Sequence, residues 1–367
     1  MNLGMFCMPL HRAEKPWQSA LEEDRQAVIL ADRLGFSEVW IGEHYSTKAE
    51  QIPSPMMLFA SVASEAPSIR FGTGVINLPH HHPVIVAAEA AQCDHLTGGR
   101  LMVGIGPGGL PSDAELFGHE DHALRYEAML EGLAVMLRLW EGDAPLRHEG
   151  KHFPMSLEKN VWLPYGIGCF PRPLQQPHPP IAMAMVAPGG YTAQLVAERD
   201  YIPISANWID VDTLKKQWAV YAAKRDELGK PADPAVWRVC RNILVTESDA
   251  QAEDILADPD GVFAHYFRYL RGLRHLAETG TLAEGSLAEV NALLDIERTV
   301  RSVVIAGSAR TVTERLAALV DTIGPFGTLV MVGHDWDAGD LWQGSMRRLA
   351  EEVAPRLREH ADARRAG

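Results

Sequence analysis

An alternation that runs from end to end most constrains what this chain can fold into. Eight short β-rich runs, at residues 3–8, 38–41, 70–76, 101–105, 181–186, 201–205, 237–246 and 328–333, are separated by longer stretches of helical character. In residues 17–34, Ala20, Leu21, Ala27, Val28, Ala31 and Leu34 fall on one helical face. In residues 125–140, Met129, Leu133, Met136, Leu137 and Trp140 do the same, as do Leu316, Leu319 and Val320 in residues 311–323. Strands joined by helices run parallel. Eight such units with no break in composition favour closure into a (β/α)₈ TIM barrel, a single domain over 1–367, with an open doubly wound sheet as the alternative. Two stretches depart from the repeat. Residues 142–180 are rich in Pro and Gly, and residues 257–308 are helical in parts with breaks at Gly272, Gly280 and Gly285. They read as insertions at the C-terminal face of the strands, roofing a pocket. The second, with its glycine breaks and few aromatic anchors, is expected to be the more mobile. Residues 350–367 read as a charged helix end that frays.

Composition narrows the function classes. The chain has 367 residues, 47% of them hydrophobic, and can bury a large core without a disulfide or metal staple. A net charge of −14 argues against nucleic-acid binding, which needs a basic face, though it leaves room for one local phosphate pocket. Cys7, Cys93, Cys169 and Cys240 form no C-x-x-C pair, so neither a zinc site nor a disulfide framework is expected. The first residues read as a strand rather than a signal peptide, and no apolar run is long enough to span a bilayer. No membrane association and a cytoplasmic location are therefore expected.

Several strand ends carry chemistry. The run Val39-Trp40-Ile41-Gly42 stops at Glu43-His44-Tyr45. At the C-terminal edge of a barrel strand, His44 could exchange a proton near neutral pH; the alternative is a hydrogen-bonded loop histidine. Glu43 is expected to point elsewhere. Gly72-Thr73-Gly74-Val75 puts small residues in a strand, either for a flat ligand or for close packing. His80-His81-His82 suggests a metal at first sight, but adjacent side chains diverge and no acidic or Cys cluster joins them in sequence, so no metal is expected. Gly104-Ile105-Gly106-Pro107-Gly108-Gly109 matches G-x-G-x-x-G, yet a loop follows and helical pattern resumes only near His122. Gly106 thus belongs to a strand-end loop with room for a ligand, not to a dinucleotide fingerprint. Pro188-Gly189-Gly190-Tyr191-Thr192 lies between a strand and a helix, where converging N–H groups suit a phosphate; a plain helix cap is the other reading. Arg125 could add a cation or be a surface residue. His334, after the last strand, could face the pocket or be structural.

In order and spacing, these segments resemble the bacterial-luciferase-like family of flavin-dependent oxidoreductases. The carriers are Glu43-His44, Gly72-Thr73-Gly74-Val75 with Leu78-Pro79 and His82-Pro83, Asp94-His95-Leu96 with Gly98-Gly99-Arg100, and Phe117-Gly118 with Arg125. Ala197-Glu198-Arg199, Ala306-Gly307-Ser308, Phe326-Gly327-Thr328 and Ser345-Met346-Arg347-Arg348 continue the pattern. Gly333-His334-Asp335-Trp336 is most similar to the limonene-monooxygenase-like branch. The resemblance implies FMN or a deazaflavin at the C-terminal edge of the strands, with His44 as the catalytic histidine. It implies a strand bulge at Gly74-Val75, often with a cis bond, under the flavin ring. Arg125, Gly189, Gly190, Tyr191 and Thr192 would lie at the phosphate. Tyr45 stands where luciferase's catalytic subunit has a second histidine, and Gly106 where it has a reactive cysteine. Pro188-Gly189 replaces an acidic–serine pair, so the phosphate would depend more on backbone N–H groups.

The implied activity is a monooxygenase that uses reduced FMN, supplied by a separate reductase, and O₂ to oxidise a small apolar or aromatic organic substrate. Phe6, Met8, Tyr45, Trp208, His334 and Trp336 would line the substrate pocket. A deazaflavin-dependent hydride-transfer enzyme is the rival enzymatic reading, and a non-catalytic flavin-binding partner subunit the third. Relatives of this type imply a homodimer.

Overall fold

The computed structural model describes residues 1–366. Its central sheet contains the strands β1 (Asn2–Phe6), β2 (Glu38–Ile41), β3 (Arg70–Thr73), β4 (Leu101–Gly106), β5 (Ile181–Met185), β6 (Ile202–Ser205), β7 (Arg238–Thr246) and β8 (Thr328–Val332). Each pairs in parallel with the next, and β8 returns to β1 through the register Asn2↔Thr328 to Phe6↔Val332. The sheet is a closed barrel, as expected, and the open-sheet alternative fails because the barrel has no free edge. These strands are legible as apolar runs because both faces are covered: β2, β4 and β8 are buried at every residue.

The barrel interior is packed below and open above. Trp40, Met102, Ala182, Ile204, Cys240, Val330 and Val332 fill it, with Phe6 against them. The Trp40 indole fits because the residue beside it is Gly72, where a Cβ would stand 2.2 Å from the indole Cε3. Beneath, the indole N–H donates to Glu38 at 2.8 Å, and Arg238 grips the same carboxylate through two nitrogens at 3.0 and 3.1 Å. That two-pronged geometry compensates a buried charge. At the other end Ala184, in the same strand register as the interior Ala182, is exposed, while Val186 and Trp208 are 52% and 46% exposed. The C-terminal mouth of the barrel is therefore open to solvent.

Two strands differ from their expected spans, and both differences shape the mouth. The run expected at 70–76 breaks after Thr73. The chain passes through a cis Gly74–Val75 peptide and resumes as Ile76–Asn77, paired with β4. In β7, residues 238–241 pair with β8, whereas 242–246 leave the wall to pair with an additional strand, Val304–Ser308. That strand ends the stretch expected to be a loosely anchored insertion.

The rest of that stretch also corrects the expectation. Helix Val262–Thr279 buries Phe263, Tyr266 and Phe267, spaced to share one face, against a cluster that includes Leu10, Val300 and Trp342. Aromatic anchors are thus present, and the largely exposed parts are residues 257–260 and 277–293. The Pro/Gly-rich stretch carries a small antiparallel hairpin, Leu146–His148 with Met155–Leu157, and exposes Trp162 and Tyr165. The chain end does not simply fray: Leu357 and Ala361 in helix Ala354–Ala366 are fully buried. Among the described residues no helix is long and apolar enough to cross a membrane.

Candidate active site at the barrel mouth

His44 follows β2 at the open end of the barrel. Its Nδ1 donates to Asp113 at 3.0 Å, and its Nε2 lies 3.7 Å from the Glu50 carboxylate, too far for a hydrogen bond. Asp113 also accepts from the Tyr45 and Ser46 backbone N–H groups and from the Ser46 hydroxyl. Burial opposes its negative charge, but these donors outweigh burial and bring its pKa down to about 2. For His44, burial disfavours the imidazolium, yet the Asp113 hydrogen bond and the neighbouring carboxylates prevail and raise its pKa. One ring nitrogen is thereby committed to an ionised aspartate. The other carries no formed bond and borders a solvent cleft of about 260 Å³ lined by Trp17, Ser46, Thr47, Lys48 and Gln51. A protonated imidazole so held can donate from Nε2 and take the proton back.

Asp113 was not among the sequence candidates. It sits on a six-residue helix, Pro111–Leu116, in a stretch that sequence pattern assigns to loop. Its only local signal is an acid in the first turn after a proline, which is ordinary helix chemistry. Glu43 points elsewhere, as expected, accepting from the Asn77 N–H at 2.7 Å and His81 at 2.9 Å. The three consecutive histidines diverge: His81 serves Glu43 and the Tyr45 hydroxyl, His80 stacks on Phe117 and His119, and His82 caps helix Pro83–Leu96.

Beside His44 the mouth offers a flat wall. The cis Gly74–Val75 peptide lies against Gly106, where a Cβ would meet Val75 Cγ2 at 2.5 Å. The glycine that ends β4 therefore keeps this wall clear. Farther round, Gly189 adopts φ +72°, where L side chains are strained, and Gly190 begins helix Tyr191–Glu198 with no side chain capping its N–H groups. The Thr192 hydroxyl lies 3.2 Å from the Tyr126 hydroxyl. Free N–H groups, a hydroxyl and a helix N-terminus together fit a phosphate, and the clear wall fits a planar ring. Arg125, next to Tyr126, is buried rather than a surface residue. Its Nε and Nη1 donate to the carbonyls of Pro107, His119 and Glu120, and Nη2 takes no part in these bonds.

The expected pocket residues divide. Phe6 and Trp208 stand at the mouth, and Tyr45 packs edge-on against Phe117. Met8 is buried, with its sulfur in the space a Gly42 Cβ would fill. Trp336 is a partly buried wedge between the two larger cores. His334 is enclosed. It is sealed among Phe263, Tyr266 and Trp342, neither ring nitrogen has a hydrogen-bond partner, and burial pushes its pKa down to about 3. Burial favours the neutral ring, and the aromatic face of helix Val262–Thr279 closes over it.

The chain is similar to known proteins along most of its length. Over 362 residues the chain is 31% identical to 4-hydroxyprotoasukamycin monooxygenase of Streptomyces nodosus subsp. asukaensis, covering 99% of this chain and 94% of the relative. It is 29% identical to limonene 1,2-monooxygenase of Rhodococcus erythropolis, covering 97% and 86%. Among solved structures it matches a type II Baeyer–Villiger monooxygenase, the oxygenating constituent of 3,6-diketocamphane monooxygenase from Pseudomonas putida in complex with FMN. That match has a TM-score of 0.83 at 26% identity, covering 97% of this chain and 98% of that one. The family model for luciferase-like monooxygenases matches residues 1–324. With these matches spanning barrel and mouth alike, the chain belongs to the luciferase-like monooxygenase family.

Proposed function

We propose that this enzyme uses reduced FMN and O₂ to insert oxygen into a small, largely apolar organic substrate of about the size of a cyclic terpenoid. The observation that carries the reading is His44, held through Nδ1 by an ionised Asp113 with Nε2 left free, beside a clear wall at an open mouth. FMN, when bound, supplies the redox chemistry. Gly74, Val75 and Gly106 would hold its ring, and Gly189, Gly190, Tyr191 and Thr192 its phosphate. Arg125 has Nη2 in reserve for the same anion. Phe6, Val186 and Trp208 give the opening an apolar lining suited to the substrate and to excluding water. His44 would donate a proton to the reacting oxygen and recover it afterwards.

The structural relative is the oxygenating constituent of its system, which supports a separate reductase as the source of reduced flavin. Exposed Met57, Ile85 and Leu96, on the helices Pro55–Val62 and Pro83–Leu96, support a homodimer through that side. Anaerobic titration with reduced FMN and with a reduced deazaflavin, followed by ¹⁸O₂ and a panel of monocyclic alkenes and bicyclic ketones, tests the reading. Tight binding of reduced FMN with ¹⁸O in a product is expected. Preference for the deazaflavin, with hydride transfer and no ¹⁸O incorporation, would replace it with the rival activity.

A further inference from the structure

The free nitrogen of His44 faces a second carboxylate whose place in the fold is closely fixed. The loop that carries Glu50 closes on itself, His44 N–H donating to the Ile52 carbonyl at 3.1 Å. It is also pinned from outside, since the His11 N–H donates to the Ala49 carbonyl at 2.9 Å. Glu50 is buried and its carboxylate stops 3.7 Å from His44 Nε2. Beside it stands Tyr269, from the helix Val262–Thr279 whose aromatic face closes over His334. The Tyr269 hydroxyl lies against Glu50 and Thr47 but outside hydrogen-bond geometry with either, a buried donor with no bond formed. A carboxylate and a hydroxyl thus converge on the working side of the imidazole without being satisfied by each other. Leaving such groups unpaired is costly unless they serve something.

We propose that Glu50, backed by Tyr269 of the covering helix, is a positioning residue that acts through His44, steadying the imidazole from its Nε2 side and retaining the proton there. The assignment rests on the acid–base reading of His44. Asp113 fixes the ring's tautomer and angle; Glu50 supplies negative charge on the side from which the proton leaves. When the proton leaves Nε2, the ring is left neutral with its Nδ1–H still donated to Asp113, and the Glu50 charge favours re-protonation. The groups facing the pair are Asp113 from the short helix, Glu43 at the end of β2 with His81 opposite it, Lys48 in the adjoining cleft, and Tyr269 from the covering helix. Burial and the Asp113 charge hold Glu50 toward its neutral form, while His44 and Tyr269 favour its ionised form; burial prevails and the pKa is raised. Tyr269 opposes that rise, which links the seating of the covering helix to the state of Glu50 and, through it, of His44.

The test is the titration of the His44 imidazole by ¹⁵N NMR in the full-length protein, with the pH profile of product formation measured beside it. In Glu50→Gln the His44 midpoint should fall by about one pH unit or more, the scale for losing an opposite charge at this distance. Glu50→Asp should recover part of the fall. Tyr269→Phe should shift the midpoint the same way by less, and its thermal stability should stay close to the parent's. The basic limb of product formation should move with the midpoint. Should Glu50→Gln not fold, Tyr269→Phe carries the test alone. An unchanged His44 midpoint in a folded Glu50→Gln, or in Tyr269→Phe when that variant stands alone, overturns the proposal. A midpoint that moves while the activity profile stays in place upholds Glu50 as the partner of His44 and instead removes His44 from the chemistry.

Discussion

His11 and His44 follow the ends of the neighbouring strands β1 and β2, and each imidazole is bonded through Nδ1 to an aspartate, Asp335 at 2.7 Å and Asp113 at 3.0 Å. Both rings carry raised pKa values because the carboxylates around them outweigh burial. The surroundings differ. The His11 side chain is 2% exposed, its Nε2 lies 3.4 Å from Asp24, and Lys15 stands between Glu23 and Asp335. His11, Glu23 and Asp335 have the spacing of a metal site, but the Lys15 ammonium already supplies the cation between two of them. The Trp336 N–H donates to Glu23, so the network ties the start of the chain to the loop after β8. Both rings keep an Nε2 without a formed hydrogen bond, but that of His11 is sealed, whereas His44 has no lysine inserted among its acids and borders solvent. A shifted histidine alone therefore does not mark an active site. Access to solvent and the inserted lysine separate the clamp from the candidate acid.

The comparison breaks or sharpens under mutation. His44→Ala should lower product formation by about 10²–10⁴-fold, the usual contribution of a positioned acid or base, with little change in unfolding free energy. His11→Ala should do the reverse. It leaves Asp24 buried without its ring partner and Asp335 with Lys15 alone, and should cost about 3–5 kcal/mol in denaturant unfolding, with activity per folded molecule retained. If the two variants behave alike, the division between clamp and catalyst is wrong.

The pH dependence of stability gives a third, somewhat smaller effect. The His11 pKa is raised from an ordinary 6.5 to about 9 in the folded state. Its contribution is therefore complete below pH 6.5 and is lost as pH rises through 9. At about 1.4 kcal/mol per pH unit this comes to roughly 3 kcal/mol. Unfolding curves between pH 6 and 10 should show the decline in the parent protein and a flatter profile in His11→Asn. Smallest is the expected effect of Thr192→Val. Loss of one hydroxyl at the proposed phosphate turn should weaken reduced-FMN binding by about three- to tenfold, read by anaerobic titration, since a single neutral hydrogen bond contributes about 1 kcal/mol.

What was legible in the sequence follows the range of the interactions involved. The eight barrel strands could be read because each is a continuous apolar run, and the strand ends carrying His44, Gly106 and Gly189 were placed with them. Asp113 and Glu50 could not be read as partners of His44. One lies on a single turn of helix after a glycine-rich loop, the other inside a polar loop, and only the closed barrel brings them together. Val304–Ser308 went unread because a five-residue strand ending in Gly-Ser has no periodicity of its own, and it forms by pairing with the part of β7 that leaves the wall. The enclosure of His334 is hidden from sequence for a related reason: the aromatic face of Val262–Thr279 is visible residue by residue, but its seat against Trp342 is a tertiary fact.

The central claim is that His44 moves a proton at the flavin's reactive edge rather than holding a loop in place. The most direct measurement loads parent and His44→Ala with reduced FMN, mixes each rapidly with oxygen and substrate, and counts product and hydrogen peroxide per O₂ consumed. The account predicts that His44→Ala binds reduced FMN about as well as the parent and still consumes O₂, with most of that oxygen released as hydrogen peroxide instead of entering product. Unchanged coupling of O₂ to product in His44→Ala would contradict it.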